Sequence, residues 1–218
     1  FDYKIKDVIC SYIKNGFPVL MGVEFSDKAL HAMTLTGYLM PQDHILLNKI
    51  ASFLEQSPYE PAYKAHCVER FIVHDDQLGP YSEILFQKDS KRIETNWKNK
   101  NDLIVKLHSV LAVVHPTWIV SSTTIKCIIS RLNNIFNELN YEIKNRYWDF
   151  YLISSNEWKS NFQKETYTTD KSILFASLPK FIWVIELFTI KSDSEVQYSQ
   201  KEMSLIIDIT SLSEFKNI

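Results

Sequence analysis

Two short stretches of the chain carry side chains that a hydrolase could use. Residues 17–38 read FPVLMGVEFSDKALHAMTLTGY and contain His31, and residues 71–81 read FIVHDDQLGPY and contain Asp75 and Asp76. An imidazole can take up and release a proton near neutral pH, and a carboxylate can fix its orientation and tautomer. The two stretches therefore predict a proton-transfer site, provided that the fold brings them together.

The elements that must position these groups are short β-strands. Residues 17–25 form an apolar run that ends in the polar turn Ser26-Asp27-Lys28, and the run that follows opens with His31. This pattern predicts a two-strand hairpin that holds His31 firmly. Residues 71–73 form a second β-branched run, which stops at His74 before the turn signal Gly79-Pro80 and so places a carboxylate at a strand end.

The order of these features resembles the second half of the papain-like cysteine peptidases, most closely the branch that contains the double-glycine leader peptidases. The resemblance covers roughly residues 5–88: a helix, an x-G-x-P-V strand, an H-A-x-x-x-x-G-Y strand beginning at His31, and an apolar strand ending in Asp75 before a glycine-containing turn. It implies that His31 is the general base and that Asp75 orients it. The residues alone also allow His31 to be a structural strand histidine bound to a neighbouring carbonyl, and Asp75 to be an Asx-type cap of the turn before Gly79. Asp76 is the reserve candidate, because successive strand residues point to opposite faces and only one of the two is expected to face His31. By the same alternation we expect His74 to be structural.

The nucleophile that the resemblance implies is not evident in this sequence. In the family a cysteine opens a helix well upstream of the base, whereas only 30 residues precede His31 and Cys10 is the single cysteine among them. The apolar spacing of residues 5–13 predicts an amphipathic helix over residues 2–15, ended by Gly16, with Cys10 buried in its middle and inert. Two explanations stay open: the nucleophile lies on a segment outside this sequence, or the catalytic half is missing and a non-catalytic interaction module remains.

Two alternative classes of function compete with the peptidase reading. A metal site could draw on residues 66, 67 and 74–76 with His31 nearby, but no pair has zinc-finger or H-E-x-x-H spacing, so we expect no metal and no cofactor. An interaction module would present aromatic side chains at a surface. The candidates for that surface are Trp97, Trp118, Trp148, Trp158 and Trp183.

The composition of the chain limits the classes of protein and partner that need to be considered. The 218 residues are 45% hydrophobic and 13% aromatic, which is typical of a globular chain. Lys and Arg total 24 against 26 Asp and Glu, so neither a nucleic acid nor an anionic membrane is the expected partner. The resemblance to the cysteine peptidases implies instead a peptide or protein substrate. Three scattered cysteines argue against a disulfide framework. No apolar stretch reaches the roughly 18 residues that span a bilayer, and we predict a cytoplasmic protein.

The whole chain predicts an α+β fold in two parts. Residues 1–88 form the papain-like antiparallel half-domain, the polar residues 89–102 form a linker, and residues 103–218 form a second mixed α+β unit of unknown role. In the second unit, periodicity predicts a long helix over residues 125–139, capped by Ser121 or Ser122. A further helix is expected from Ser155, with a Ser cap, and a short one at residues 173–178. Strands are expected at residues 103–114, 147–153, 181–190 and 203–209.

Overall fold

The structure, a computed structural model, describes residues 2–87, 92–95, 105–139, 145–164, 172–193 and 196–210. These residues form an α+β fold with antiparallel sheets, which confirms the predicted class. No helix among them is long and apolar enough to cross a membrane. The helices are α1 (Asp2–Ile13), α2 (Asp43–Gln56), α3 (Ser122–Glu138) and α4 (Ser155–Lys164), with short 3-10 helices at Lys64–Cys67 and Ser172–Phe175. The strands are β1 (Val19–Phe25), β2 (Leu30–Leu39), β3 (Arg70–Asp75), β4 (Gly79–Phe86), β5 (Arg92–Glu94), β6 (Val105–Ala112), β7 (Arg146–Ser154), β8 (Phe181–Asp193) and β9 (Val196–Asp208).

Strands β1 to β6 close into an antiparallel barrel, each paired with its neighbours in sequence and β6 paired with β1. Alternate residues of each strand point into the barrel, as the two-residue period of a strand requires. Every inward position is apolar in the middle of the barrel, so the interior is a packed core. Its buried residues are Val19, Met21, Val23, Met33, Leu35, Phe71, Val73, Ile84, Phe86, Ile93, Val105 and Leu107.

The segment predicted to be a linker contributes a strand to this barrel. Most of residues 89–102 lie outside the described residues, but Arg92–Glu94 form β5, which pairs with β4 and β6. Strand β6, which we assigned to the second unit, pairs with β1. Three residues are too few to show an alternating pattern, so β5 could not be recognised from the sequence. The division into residues 1–88 and 103–218 stays a prediction.

Strands β7, β8 and β9 form a second antiparallel sheet, and its apolar face joins the same core as the barrel. Trp148 of β7 stacks on Phe136 of α3, so the long helix covers this sheet as predicted. Trp183 of β8 donates its indole N–H to the carbonyl of Val120 over 2.9 Å. Ser121 caps α3 by accepting from the amide of Thr124.

Helix α1 lies between the barrel and the second sheet. Its end is a Schellman motif: Gly16, with φ +82°, donates to the carbonyl of Ile13, and Phe17 donates to that of Tyr12. The ring of Tyr12 meets Trp183 edge-on at 5.3 Å. The predicted helix and its glycine stop are therefore confirmed. Helix α4 differs in one detail, since Ser154 rather than Ser155 caps it, accepting from the amide of Glu157.

The barrel core gives a matched stability test within β2. Leu35 is completely buried and Leu30 is 64% exposed on the same strand. We expect Leu35→Ala to lower the free energy of unfolding by about 2–5 kcal/mol, because it leaves a cavity in a packed core. Leu30→Ala should change it by less than about 0.5 kcal/mol. Urea denaturation of both variants measures the difference, and equal losses would contradict the inward register of β2.

Candidate active site

His31 lies at one end of the barrel. It is the second residue of β2, opposite Val23 of β1, and follows a tight turn in which Lys28 takes a positive φ of 66°. His31 has the same strand parity as the buried Met33 and Leu35, so its ring turns inward and is only 12% exposed. The hairpin predicted to hold His31 is confirmed.

Asp75 reaches the same end of the barrel from β3. Because Thr34 of β2 pairs with His74 of β3, the end of β3 lies beside the beginning of β2. Asp75 is the last residue of β3, and its side chain is completely buried. Its Oδ2 atom lies 2.6 Å from Nε2 of His31. The structure therefore brings together the two residues singled out by the sequence.

The turn after β3 satisfies the rest of the Asp75 carboxylate. Oδ1 accepts from the backbone amides of Gln77 over 2.8 Å and Leu78 over 2.7 Å. Gly79 has a φ of +85°, which a residue without a Cβ adopts without strain, and it redirects the chain into β4. These two hydrogen bonds make Asp75 the Asx-type cap that the sequence allowed, in addition to its contact with His31. We did not assign Gln77 and Leu78 to the site from the sequence.

This geometry fixes the roles of the two imidazole nitrogens. An ionised carboxylate only accepts hydrogen bonds, so in neutral His31 the nitrogen that contacts Asp75, Nε2, carries the proton. Nδ1 then holds the lone pair that a general base needs. The ring of Phe25 lies 6.2 Å from the imidazole, centre to centre, and adds an apolar wall that the sequence did not indicate.

Asp76 also approaches His31, which corrects the expectation that only one carboxylate of the pair could. Its Oδ1 atom lies 3.5 Å from the same Nε2, although its side chain is 80% exposed. Strand β3 ends at Asp75, so Asp76 belongs to the turn and the alternation of strand faces no longer applies to it. Ligand atoms of His31, Asp75 and Asp76 lie within 4.8 Å of one another.

The remaining candidate metal ligands lie elsewhere. His74 points away from Asp75, as predicted, and packs its ring edge-on against Tyr81 at 4.9 Å. Nε2 of His66 lies 3.2 Å from Asp7, and Cys67 donates to the carbonyl of Leu46. Both residues precede Arg70 at the start of β3, and the five steps along the strand from Arg70 to Asp75 cover about 17 Å. The larger metal set considered from the sequence is not assembled.

Two of the three cysteines, Cys10 and Cys67, lack the properties of a nucleophile for His31. Cys10 is buried in α1, as predicted, and burial raises the pKa of its thiol, with Asp7 and Asp149 adding to the rise. Burial also raises the pKa of Cys67 to about 11. Cys127 is exposed on α3. Burial raises the pKa of Tyr38, and Cys10 raises it further, so Cys10 lies near Tyr38. Tyr38 is seven β2 residues from His31, or about 23 Å away along the strand, and Cys10 is therefore distant from His31.

The hydrogen bonds of Asp75 predict different effects of two neighbouring substitutions. Asp75→Ala removes the acceptor of two backbone amides and of His31, so we expect the free energy of unfolding to fall by about 1–3 kcal/mol. Asp76→Ala should change it by less than about 0.5 kcal/mol, because that carboxylate is exposed. Chemical denaturation measures both values. Equal effects would mean that Asp75 does not organise the turn.

Thiol reactivity tests the exclusion of Cys10 and Cys67. At pH 8 the native protein should react with iodoacetamide first at Cys127. A pKa near 11 rather than 9.0 leaves Cys67 about a hundredfold less thiolate, and burial adds further protection. Mass spectrometry over time follows each site, and unfolding in urea should equalise the three rates. Rapid modification of Cys10 in the native protein would reopen it as a nucleophile.

Comparison with known proteins found no matching family model, no matching curated protein and no matching solved structure. No function can be transferred from a relative by this route. The case for a function therefore rests on the contacts of His31, Asp75 and Asp76 and on the order of the elements that carry them.

Proposed function

We propose that this chain provides the histidine–aspartate half of a papain-like cysteine peptidase, in which His31 is the general base and Asp75 orients it. The reaction is hydrolysis or transfer of an amide or related acyl bond in a peptide or protein. The observation that carries the proposal is the 2.6 Å contact between Nε2 of His31 and the buried Oδ2 of Asp75 at the barrel end. The cysteine would come from residues outside this sequence.

The chemistry assigns one task to each nitrogen of His31. Nδ1 takes the proton of the cysteine thiol, and the thiolate attacks the substrate carbonyl carbon. The imidazolium then gives this proton to the leaving amine as the C–N bond breaks and an acyl-enzyme forms. In the second half, Nδ1 takes a proton from water and the hydroxide attacks the acyl carbon. The C–S bond breaks, the imidazolium returns its proton to the departing thiolate, and the acid product leaves.

Asp75 contributes through its charge and its fixed position. Its carboxylate has no contact with solvent, so its attraction for the imidazolium that forms on His31 is weakly screened. Two backbone amides hold Oδ1, which leaves Oδ2 directed at Nε2. A carboxylate held this way fixes the tautomer of His31 and does not itself need to accept the proton.

A divalent metal site is the second candidate, because ligand atoms of His31, Asp75 and Asp76 lie within 4.8 Å of one another. The peptidase proposal is preferred on geometry. At 2.6 Å, Nε2 and Oδ2 share a hydrogen, and a metal ion would have to replace that hydrogen bond. The exposed Asp76 would then be the ligand that completes the set.

Labelling of the full-length gene product with a biotinylated peptidyl vinyl sulfone, which captures an activated cysteine, tests the proposal. We expect labelling of one cysteine, reduced about 10²–10⁴-fold in rate by His31→Gln because the general base is lost. The matched control is His74→Gln, which changes a histidine of the neighbouring strand that faces away from the site and should leave the rate within about twofold. EDTA should have no effect.

Three outcomes would contradict the proposal. Equal labelling of the wild type and His31→Gln would remove His31 from the mechanism. Absence of labelling in the folded full-length protein would favour a non-catalytic interaction module. Loss of labelling on addition of EDTA, restored by Zn²⁺, would favour the metal site.

A further inference from the structure

A cavity of about 830 Å³ lies at the other end of the barrel from His31. Arg70, at the start of β3, lines it, whereas Asp75 ends the same strand about 17 Å away. The cavity is therefore separate from the candidate active site, and the proposed peptidase chemistry does not use it. Helix α2, the 3-10 helix that ends at Cys67, and the end of β4 supply much of its wall. Their lining residues include Ile50, Phe53, His66, Cys67, Leu85 and Phe86.

Apolar side chains form much of this wall. Ile50, Ala62 and Phe86 line the cavity and are buried, and Phe53 and Leu85 line it while half-buried. The volume lies within the range of about 300–1,000 Å³ typical of small-molecule sites. A ligand with an aromatic or aliphatic body could cover Phe53 and Leu85 and remove their remaining surface from water, which is the main favourable term in binding of this kind.

Hydrogen bonds hold the wall of the cavity in place. The ammonium of Lys6, on α1, donates to the carbonyl of Val68 over 3.0 Å. The thiol of Cys67 donates to the carbonyl of Leu46 on α2 over 3.7 Å. The segment between the 3-10 helix and β3 is thus tied to both α1 and α2. A ligand would therefore meet a preformed cavity and would not have to order this segment.

The charged side chains around the cavity are arranged in pairs of opposite sign. Lys49 lies 2.8 Å from Glu69, and both residues line the cavity. Arg70, which also lines it, lies 3.4 Å from Glu83 of β4. A charged group on a ligand would have to separate one of these pairs to gain a partner. The two pairs therefore favour neither an anion nor a cation.

Two further polar side chains of the wall also have partners. Glu94 accepts a hydrogen bond from Gln87 over 2.6 Å. Nε2 of His66 lies 3.2 Å from Oδ1 of the buried Asp7, whose Oδ2 accepts from Lys126 over 2.6 Å. A charge buried without a partner is costly, whereas an uncharged molecule leaves all of these contacts in place.

The thiol of Cys67 reports on the polarity of the inner end of the cavity. Burial raises its pKa to about 11, although Lys49, Lys6 and Lys64 all act to lower it. The exclusion of water therefore outweighs the positive field of these three lysines at this point. This balance agrees with an interior that accommodates apolar rather than ionic groups.

From this combination we infer that the cavity binds a small uncharged molecule with an aromatic or aliphatic body. The body lies against Phe53 and Leu85, and the ion pairs of Lys49 and Arg70 stay intact. This site serves binding and requires no chemical step.

Titration of the intact chain with N-phenyl-1-naphthylamine, an uncharged probe that fluoresces in apolar surroundings, tests the inference. We expect saturable 1:1 binding that changes less than about twofold between about 50 and 500 mM NaCl, because the probe has no charge to screen. The matched probe is 1-anilinonaphthalene-8-sulfonate, which has the same rings and adds one sulfonate. It should bind at least about tenfold more weakly, because its charge would enter without a partner.

A pair of leucine substitutions locates the bound probe. Leu85→Gln should weaken binding of the uncharged probe about three- to tenfold, because it removes apolar surface from the cavity wall. The matched control is Leu111→Gln. Leu111 is 60% exposed on β6, outside the cavity, and its variant should bind the probe like the wild type. Near-UV circular dichroism checks that both variants remain folded.

Three outcomes would overturn the inference. The uncharged probe might fail to saturate one site, the sulfonate could bind as tightly as the uncharged probe or more tightly, or Leu85→Gln and Leu111→Gln could weaken binding equally. None of these results bears on His31.

Discussion

Closure of the barrel around β1 is the constraint on which the rest of the structure depends. Strand β1 pairs along its whole length with β2 on one side and β6 on the other, so none of its backbone groups is left at an open edge. With both neighbours fixed, the inward residues Val19, Met21 and Val23 form the centre of the core. The bulge in β6 opposite Gly22 and Val23 adjusts the twist without opening the ladder. His31 lies where it does because β2 is held in register by this strand.

The candidate site adds a second requirement, because the buried charge of Asp75 must be stabilised by hydrogen bonds. A carboxylate without contact with solvent is costly unless both of its oxygens accept hydrogen bonds, and Asp75 meets this condition with two backbone amides on Oδ1 and one imidazole on Oδ2. The amides come from the turn and the imidazole comes from the hairpin on the other side of β3. The turn, the hairpin and the pair of side chains therefore stabilise one another, and each would lose its geometry without the other two.

Much of this arrangement could be predicted because each of these elements has a characteristic pattern within its own short stretch of sequence. An apolar run identified β1, the run that opens with His31 identified β2, and a β-branched run identified β3. Helical periodicity identified α1 and α3, and glycine at position 16 marked a helix end. The pairing of His31 with Asp75 followed from the order of motifs. Barrel closure by β5 and β6 could not be predicted. The three residues of β5 are too few to show an alternating pattern, and they do not indicate which distant strands β5 pairs with. The approach of Asp76 was missed because the strand was assumed to continue past Asp75.

The two ends of the barrel are linked by the register of a single strand. Strand β3 pairs on both sides, and its inward residues Phe71 and Val73 fix which way every other side chain points. A slip of one residue would turn Phe71 and Val73 toward solvent and would carry Asp75 out of contact with His31. The same slip would move Arg70 relative to Ile50 and Phe53 of α2, with which it lines a cavity of about 830 Å³ at the other end of the barrel. The apolar core thus sets, through one alternation, the geometry of the proposed proton-transfer pair at one end of the barrel and of the cavity at the other, although no described contact joins the two.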